Sequence, residues 1–169
     1  AGSAVGVAAQ DEASMLPAEV TGRATFVEGL LADPVMSETP EGIQAGDGLV
    51  TVHTWDTNDA RLNGDVTRTV NFRFDSSSPS GIESSVMELT NDGGSWLGEG
   101  NGYLTDLREN PRSVRWVALT GRDGYEGLSA MVVLETGNVL QPAALNLEGV
   151  IFPSEVPEVP EPYAAESPR

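Results

Sequence analysis

The stretch "GRDGYEGLSAMVVLETG", Gly121 to Gly137, puts a glycine-punctuated turn with one tyrosine directly before a mostly apolar run. Two structures compete for it. A phosphate-binding loop needs a strand, then glycines, then a helix whose N-terminus holds the anion. After Gly127, however, "LSAMVVLETG" is rich in Val and Met, apolar on both faces, and too short for a surface helix. Read at period two, it sets Leu128, Ala130, Val132 and Leu134 on one face and Ser129, Met131, Val133 and Glu135 on the other, which is the pattern of a strand. Gly121, Gly124 and Gly127 then serve the backbone at a sheet corner rather than an anion.

The same period runs through the middle of the chain, with Val, Thr, Phe, Trp and Ile in short runs separated by Gly, Asn, Asp, Pro or Ser. Strands are predicted at Val20 to Leu30, Gly48 to Trp55, Arg61 to Asp75, Ile82 to Asn91, Ser95 to Leu104, Ser113 to Thr120, Tyr125 to Glu135 and Ala144 to Phe152. The expected fold is all-β: one eight-stranded antiparallel up-and-down barrel over residues 19–153. Residues 1–18, beginning "AGSAVGVAAQ", read as a signal-peptide remnant or flexible N-terminal segment, which points to a secreted or cell-surface protein. Residues 154–169 form a Pro/Glu-rich tail too poor in apolar surface to order itself.

In Arg61 to Asp75, "RLNGDVTRTVNFRFD", Leu62, Val66, Val70, Phe72 and Phe74 share a face with one charge, Arg68. Setting Phe74 opposite Ile82 across "SSSPSG" pairs Arg68 with Glu88, so the lone charge of each apolar face would meet the other. A three-residue loop Asp92 to Gly94 would then put Trp96, Gly98, Gly100 and Gly102 inside. Alternate glycines either leave room for a ligand or let the strand coil at a barrel corner. Arg68, Phe72, Phe74, Glu88, Trp96 and Tyr125 are therefore the candidate ligand-binding residues, set against an interior filled completely by side chains around a structural ion pair. Tyr125 either caps the pocket or plugs the barrel end.

Composition excludes several classes. The formal charge of -17 repels nucleic acid and anionic membranes, and no run approaches the length of a membrane span, so neither partner is expected. All nine basic residues are Arg, which removes Schiff-base chemistry, and the absence of Cys removes thiolate nucleophiles. The single His53 reads as a polar or half-buried strand residue rather than part of a triad. Asp56 to Asp65, "DTNDARLNGD", lacks the ligand spacing of a calcium loop, and no metal or other cofactor is expected. Glu99, Glu126 and Glu148 stand singly, giving no paired-carboxylate site.

With the strand reading in place, "LTGRDGYEGLSAMVVLETG", "NDGGSWLGEGNG" and "LEGVIFPSEVP" resemble segments of the allene oxide cyclase and dirigent-like barrels, over roughly Arg61 to Pro157. The resemblance implies an eight-stranded barrel, often a homo-oligomer, whose interior holds a hydrophobic small molecule. In some relatives the barrel is a cofactor-free cyclase or isomerase that acts by positioning and desolvation. Here Arg68, Glu88 or Tyr125 would supply a polar anchor. A structural surface protein that self-assembles through outer faces such as Met131 and Val133 is the third expectation.

Overall fold

The computed structural model describes residues 15–29, 32–75, 77–78, 80–105, 112–136 and 144–158. The N-terminal residues 1–14 and most of the Pro/Glu-rich tail lie outside the described residues. Among the described residues there are nine strands: β1 Ala18–Gly29, β2 Val35–Glu38, β3 Ile43–Thr57, β4 Gly64–Asp75, β5 Ser80–Asn91, β6 Gly94–Thr105, β7 Arg112–Arg122, β8 Ser129–Thr136 and β9 Leu145–Phe152. They lie in the order β1-β9-β8-β7-β6-β5-β4-β3-β2, and a further pairing of β1 with β3 closes the sheet into an eight-stranded antiparallel barrel. The short β2, which the period-two reading missed, lies outside that ring on β3.

Inward and outward residues alternate along most of the wall, most regularly in β5 and β6, as a closed barrel requires, with bulges interrupting the alternation in β1 and β3. One half of the interior is filled by apolar side chains, among them Val20, Trp55, Leu62, Leu89, Trp96 and Leu147, all almost wholly buried. The opening stretch closes this end. After β7, Asp123–Tyr125 makes a single 3₁₀ turn, with Asp123 in the left-handed region at φ 57°. This tucks the Tyr125 ring back over the barrel mouth, stacked on Trp96 with centroids 5.2 Å apart and an interplanar angle of 24°. Gly124 is required here, because a Cβ at that position would collide with the carbonyl oxygen of Gly93.

Polar groups tie the same end together. The Tyr125 hydroxyl donates to Asn91 Oδ1 at 2.7 Å, and Asn91 Nδ2 donates to the Asn63 carbonyl at 2.7 Å. The indole N–H of Trp96 donates to the Arg61 carbonyl at 2.8 Å. Loops from three hairpins are thus locked by side chains that satisfy otherwise orphaned backbone groups.

The register of β4 on β5 differs from the expected one by a single residue. Phe74 pairs with Gly81, and Arg73 with Ile82. Such a slip turns every side chain of the strand over: Glu83, Ser85, Met87 and Leu89 point inward, while Ile82, Ser84, Val86 and Glu88 face out. The connection is fixed by Asp75, whose Oδ1 accepts from Ser77 N at 2.8 Å and from Ser78 N at 3.2 Å. The next turn also differs. Asn91 pairs with Gly94, leaving a two-residue hairpin of Asp92 and Gly93 rather than three residues. The two shifts cancel, so Trp96, Gly98, Gly100 and Gly102 are inside and buried as expected.

Those glycines do not leave a bare wall. A Cβ on Gly98 would strike Leu119, one on Gly100 would press on Val117, and one on Gly102 would meet Arg115 and Glu83. The strip instead admits side chains from β5 and β7 across the face of β6.

Candidate functional site

The other half of the barrel holds a cavity of about 330 Å³, within the ~300–1,000 Å³ typical of small-molecule sites. Its walls are apolar, built by Phe26, Leu49, Val70, Phe72, Phe74 and Leu104. Phe26 is 40% exposed, so the cavity opens to solvent at this end. Local backbone departures shape the mouth. A bulge in β3 between Gly46 and Leu49 includes Gly48 at φ 79°, and the Phe72 ring lies against Gly46 where any Cβ would collide with it. A second bulge, between Phe26 and Glu28 in β1, turns the Phe26 ring edge-on to His53, centroids 5.6 Å apart.

Polar residues from β3, β4, β5 and β7 also line this space: Gln44, Thr51 and Arg73, and a cluster of His53, Arg68, Glu83 and Arg115. His53, Arg68 and Arg115 border a separate void of about 10 Å³ beside Trp55, Val66 and Met87, so they stand between the cavity and the packed core. Arg68 Nη2 donates to Glu83 Oε1 at 2.6 Å, and Arg115 Nε donates to the same oxygen. The side chains of Arg68 and Glu83 are each only 6% exposed. His53 Nε2 lies 3.2 Å from the Thr51 hydroxyl.

Burial dominates the electrostatics. It pulls Arg68 down to about 10, helped by the neighbouring charge of Arg115 and opposed by Glu83. It also lowers His53 to about 4, with Arg115 and Arg68 adding to the effect and Glu83 opposing it. His53 is therefore neutral at pH 7, and the cluster carries two cations against one anion. Two buried nitrogens, Arg68 Nε and His53 Nδ1, have no hydrogen-bond partner among the described residues.

The structure divides the six residues expected to form one pocket. Arg68, Phe72 and Phe74 line the cavity. Trp96 and Tyr125 lie at the closed end, in the packed core. Glu88 is outside the barrel, because of the one-residue register shift, and the acid that meets Arg68 is Glu83. The expected Arg68–Glu88 pair is thus corrected to a cluster in which one carboxylate receives two arginines. Glu83, Arg115 and His53 were missed as site residues. A charge in an alternating strand that must fill a barrel is the available signal, and "SVRWVALT" offered it at Arg115, beside a Trp116 that faces out. Comparison with protein-family models, curated proteins and solved structures finds no match for this chain.

Proposed function

We propose that this protein is an exported barrel that binds a hydrophobic small molecule in its open end, and that its kinship lies with the allene oxide cyclase and dirigent-like barrels. The observation that carries the reading is the apolar cavity of about 330 Å³ in an otherwise close-packed interior. An eight-stranded barrel is just wide enough for side chains to fill it or for one small ligand to replace them. This chain fills one half with tryptophan, tyrosine and leucine and leaves the other half hollow. Confinement of a flexible substrate would use the same space, so a cyclase or isomerase activity is the catalytic version of this reading.

The test uses a neutral probe, N-phenyl-1-naphthylamine, whose emission rises in apolar surroundings. Saturable binding to the wild-type protein is expected, and loss of it in Leu49→Trp and Leu104→Trp, which fill the cavity from its wall. A folded wild-type protein without saturable binding overturns the proposal.

A second reading, self-assembly, is favoured by one feature of the outer surface. Val86, Trp116, Met131, Val150 and Phe152 are each about half exposed. Val86, Met131 and Val150 fall in one row across the sheet through the pairs Val86–Glu99, Glu99–Ala118, Ala118–Met131 and Met131–Val150. An apolar row of this kind suits contact with a second copy.

A further inference from the structure

We infer that the polar cluster lining the cavity is an anion clamp, and that the ligand is an apolar molecule ending in a single carboxylate. The inference rests on the reading of the cavity as a binding site and adds the chemistry of what it holds.

Donors outnumber acceptors at this point of the barrel. Each guanidinium presents five N–H groups and no acceptor, yet Arg68 and Arg115 share one oxygen of Glu83. Arg68 Nε is buried with no partner among the described residues, on a side chain only 6% exposed. His53 adds a second buried nitrogen of this kind. In the tautomer that accepts from the Thr51 hydroxyl at Nε2, His53 Nδ1 carries the ring proton and is a second such donor; in the other tautomer Nε2 donates to Thr51 and Nδ1 is a lone pair. Groups of this kind are stabilised by an acceptor brought in from outside, since a buried donor left unsatisfied is costly.

The charge balance selects the head group. Two arginines, one glutamate and a neutral histidine leave one positive charge enclosed in a protein whose formal charge is -17. A monoanion cancels it, whereas a phosphate monoester would bring a second negative charge next to Glu83. A planar carboxylate also matches the fork geometry of guanidinium donors. The rest of the ligand meets Phe26, Leu49, Phe72, Phe74 and Leu104, beside Gln44 and Thr51; the third guanidinium on this lining, Arg73, is half exposed and already paired with Asp47 at 2.8 Å. The occupant is therefore amphiphilic, with its carboxylate inward and its apolar body towards the mouth.

Decanoic acid and 1-decanol, which share a chain and differ at the head, test this by displacement of N-phenyl-1-naphthylamine at neutral pH. The acid is expected to bind roughly tenfold or more tighter than the alcohol, the scale of one charge-assisted hydrogen bond. Arg115→Met, which leaves Glu83 its bond to Arg68, is expected to erase that preference while alcohol binding persists, and persistence of alcohol binding also shows that the variant is folded. Equal binding of acid and alcohol by the wild type overturns the anion clamp and leaves the apolar-receptacle reading standing. An acid preference that survives in Arg115→Met likewise overturns the clamp. If the wild type binds neither compound nor the probe, both readings fall.

Discussion

Glu83 accepts from guanidiniums on two different strands while almost wholly buried, so its loss should be costly in a way that few surface acids match. Glu83→Gln leaves two buried cations facing each other and is expected to destabilise the fold by about 3 kcal/mol. Glu88→Gln, on the outer face, should change stability by no more than ~0.5 kcal/mol. Urea denaturation of the two variants measures both, and comparable losses would mean that β5 is turned the other way. His53 supplies a pH test. Its folded value of about 4 lies below the ordinary 6.5, so between those limits the unfolded chain takes up a proton that the folded chain refuses. Stability contributed by neutral His53 is present above pH 6.5 and is lost as pH falls towards 4, on the order of 2 kcal/mol by pH 4.5. Between pH 7 and 4.5, wild type should lose that much more than His53→Gln, and parallel curves would disprove the assignment. In the sequence His53 had no visible partner, because its neighbours Phe26, Arg68 and Arg115 come from three other strands.

The turn from β7 to β8 acts as a plug made from sequence-local parts. Gly124 must lie against Gly93, and Tyr125 must stack on Trp96. Gly124→Ala is expected to cost roughly 3 kcal/mol, as for an overpacked site with no room to relax. Tyr125→Phe keeps the stack, loses the bond to Asn91, and should cost about 1 kcal/mol. Because this end is remote from the cavity, both variants should retain wild-type affinity for N-phenyl-1-naphthylamine when folded; thermal melts and probe titration separate the two effects. Weakened probe binding would show that the plug shapes the site. The β8 strand and its faces were legible because Leu128, Ala130, Val132 and Leu134 outweigh Ser129 and Glu135 in apolar character. The face of β5 was not legible. Each side of "IESSVMEL" carries two apolar residues, one Ser and one Glu, so period two finds the strand and cannot orient it. Orientation came from the Asp75 turn and from Arg115, neither of which is local to the alternation.

Seen whole, the molecule sets an apolar outer row within an acidic surface. Glu99 lies in the row between Val86 and Ala118, and Glu148 pairs with Val133 beside it. Two copies meeting face to face through Val86, Met131 and Val150 would bring these carboxylates together, against a background of -17 per chain. Repulsion between such exposed charges is screened with a Debye length near 10 Å at ~0.1 M salt and about 3 Å at ~1 M, whereas apolar burial is not weakened by salt in that way. Self-association should therefore be slight at low ionic strength and increase with added sodium chloride. Sedimentation velocity over a salt series measures it. Met131→Glu places a further charge in the middle of the row and should keep the protein monomeric at every salt concentration, with its melting temperature little changed because Met131 is 54% exposed. Probe affinity should also be unchanged, since Met131 faces away from the interior. Association that weakens with salt, or that persists in Met131→Glu, would locate the contact elsewhere and remove the observation on which the self-assembly reading stands.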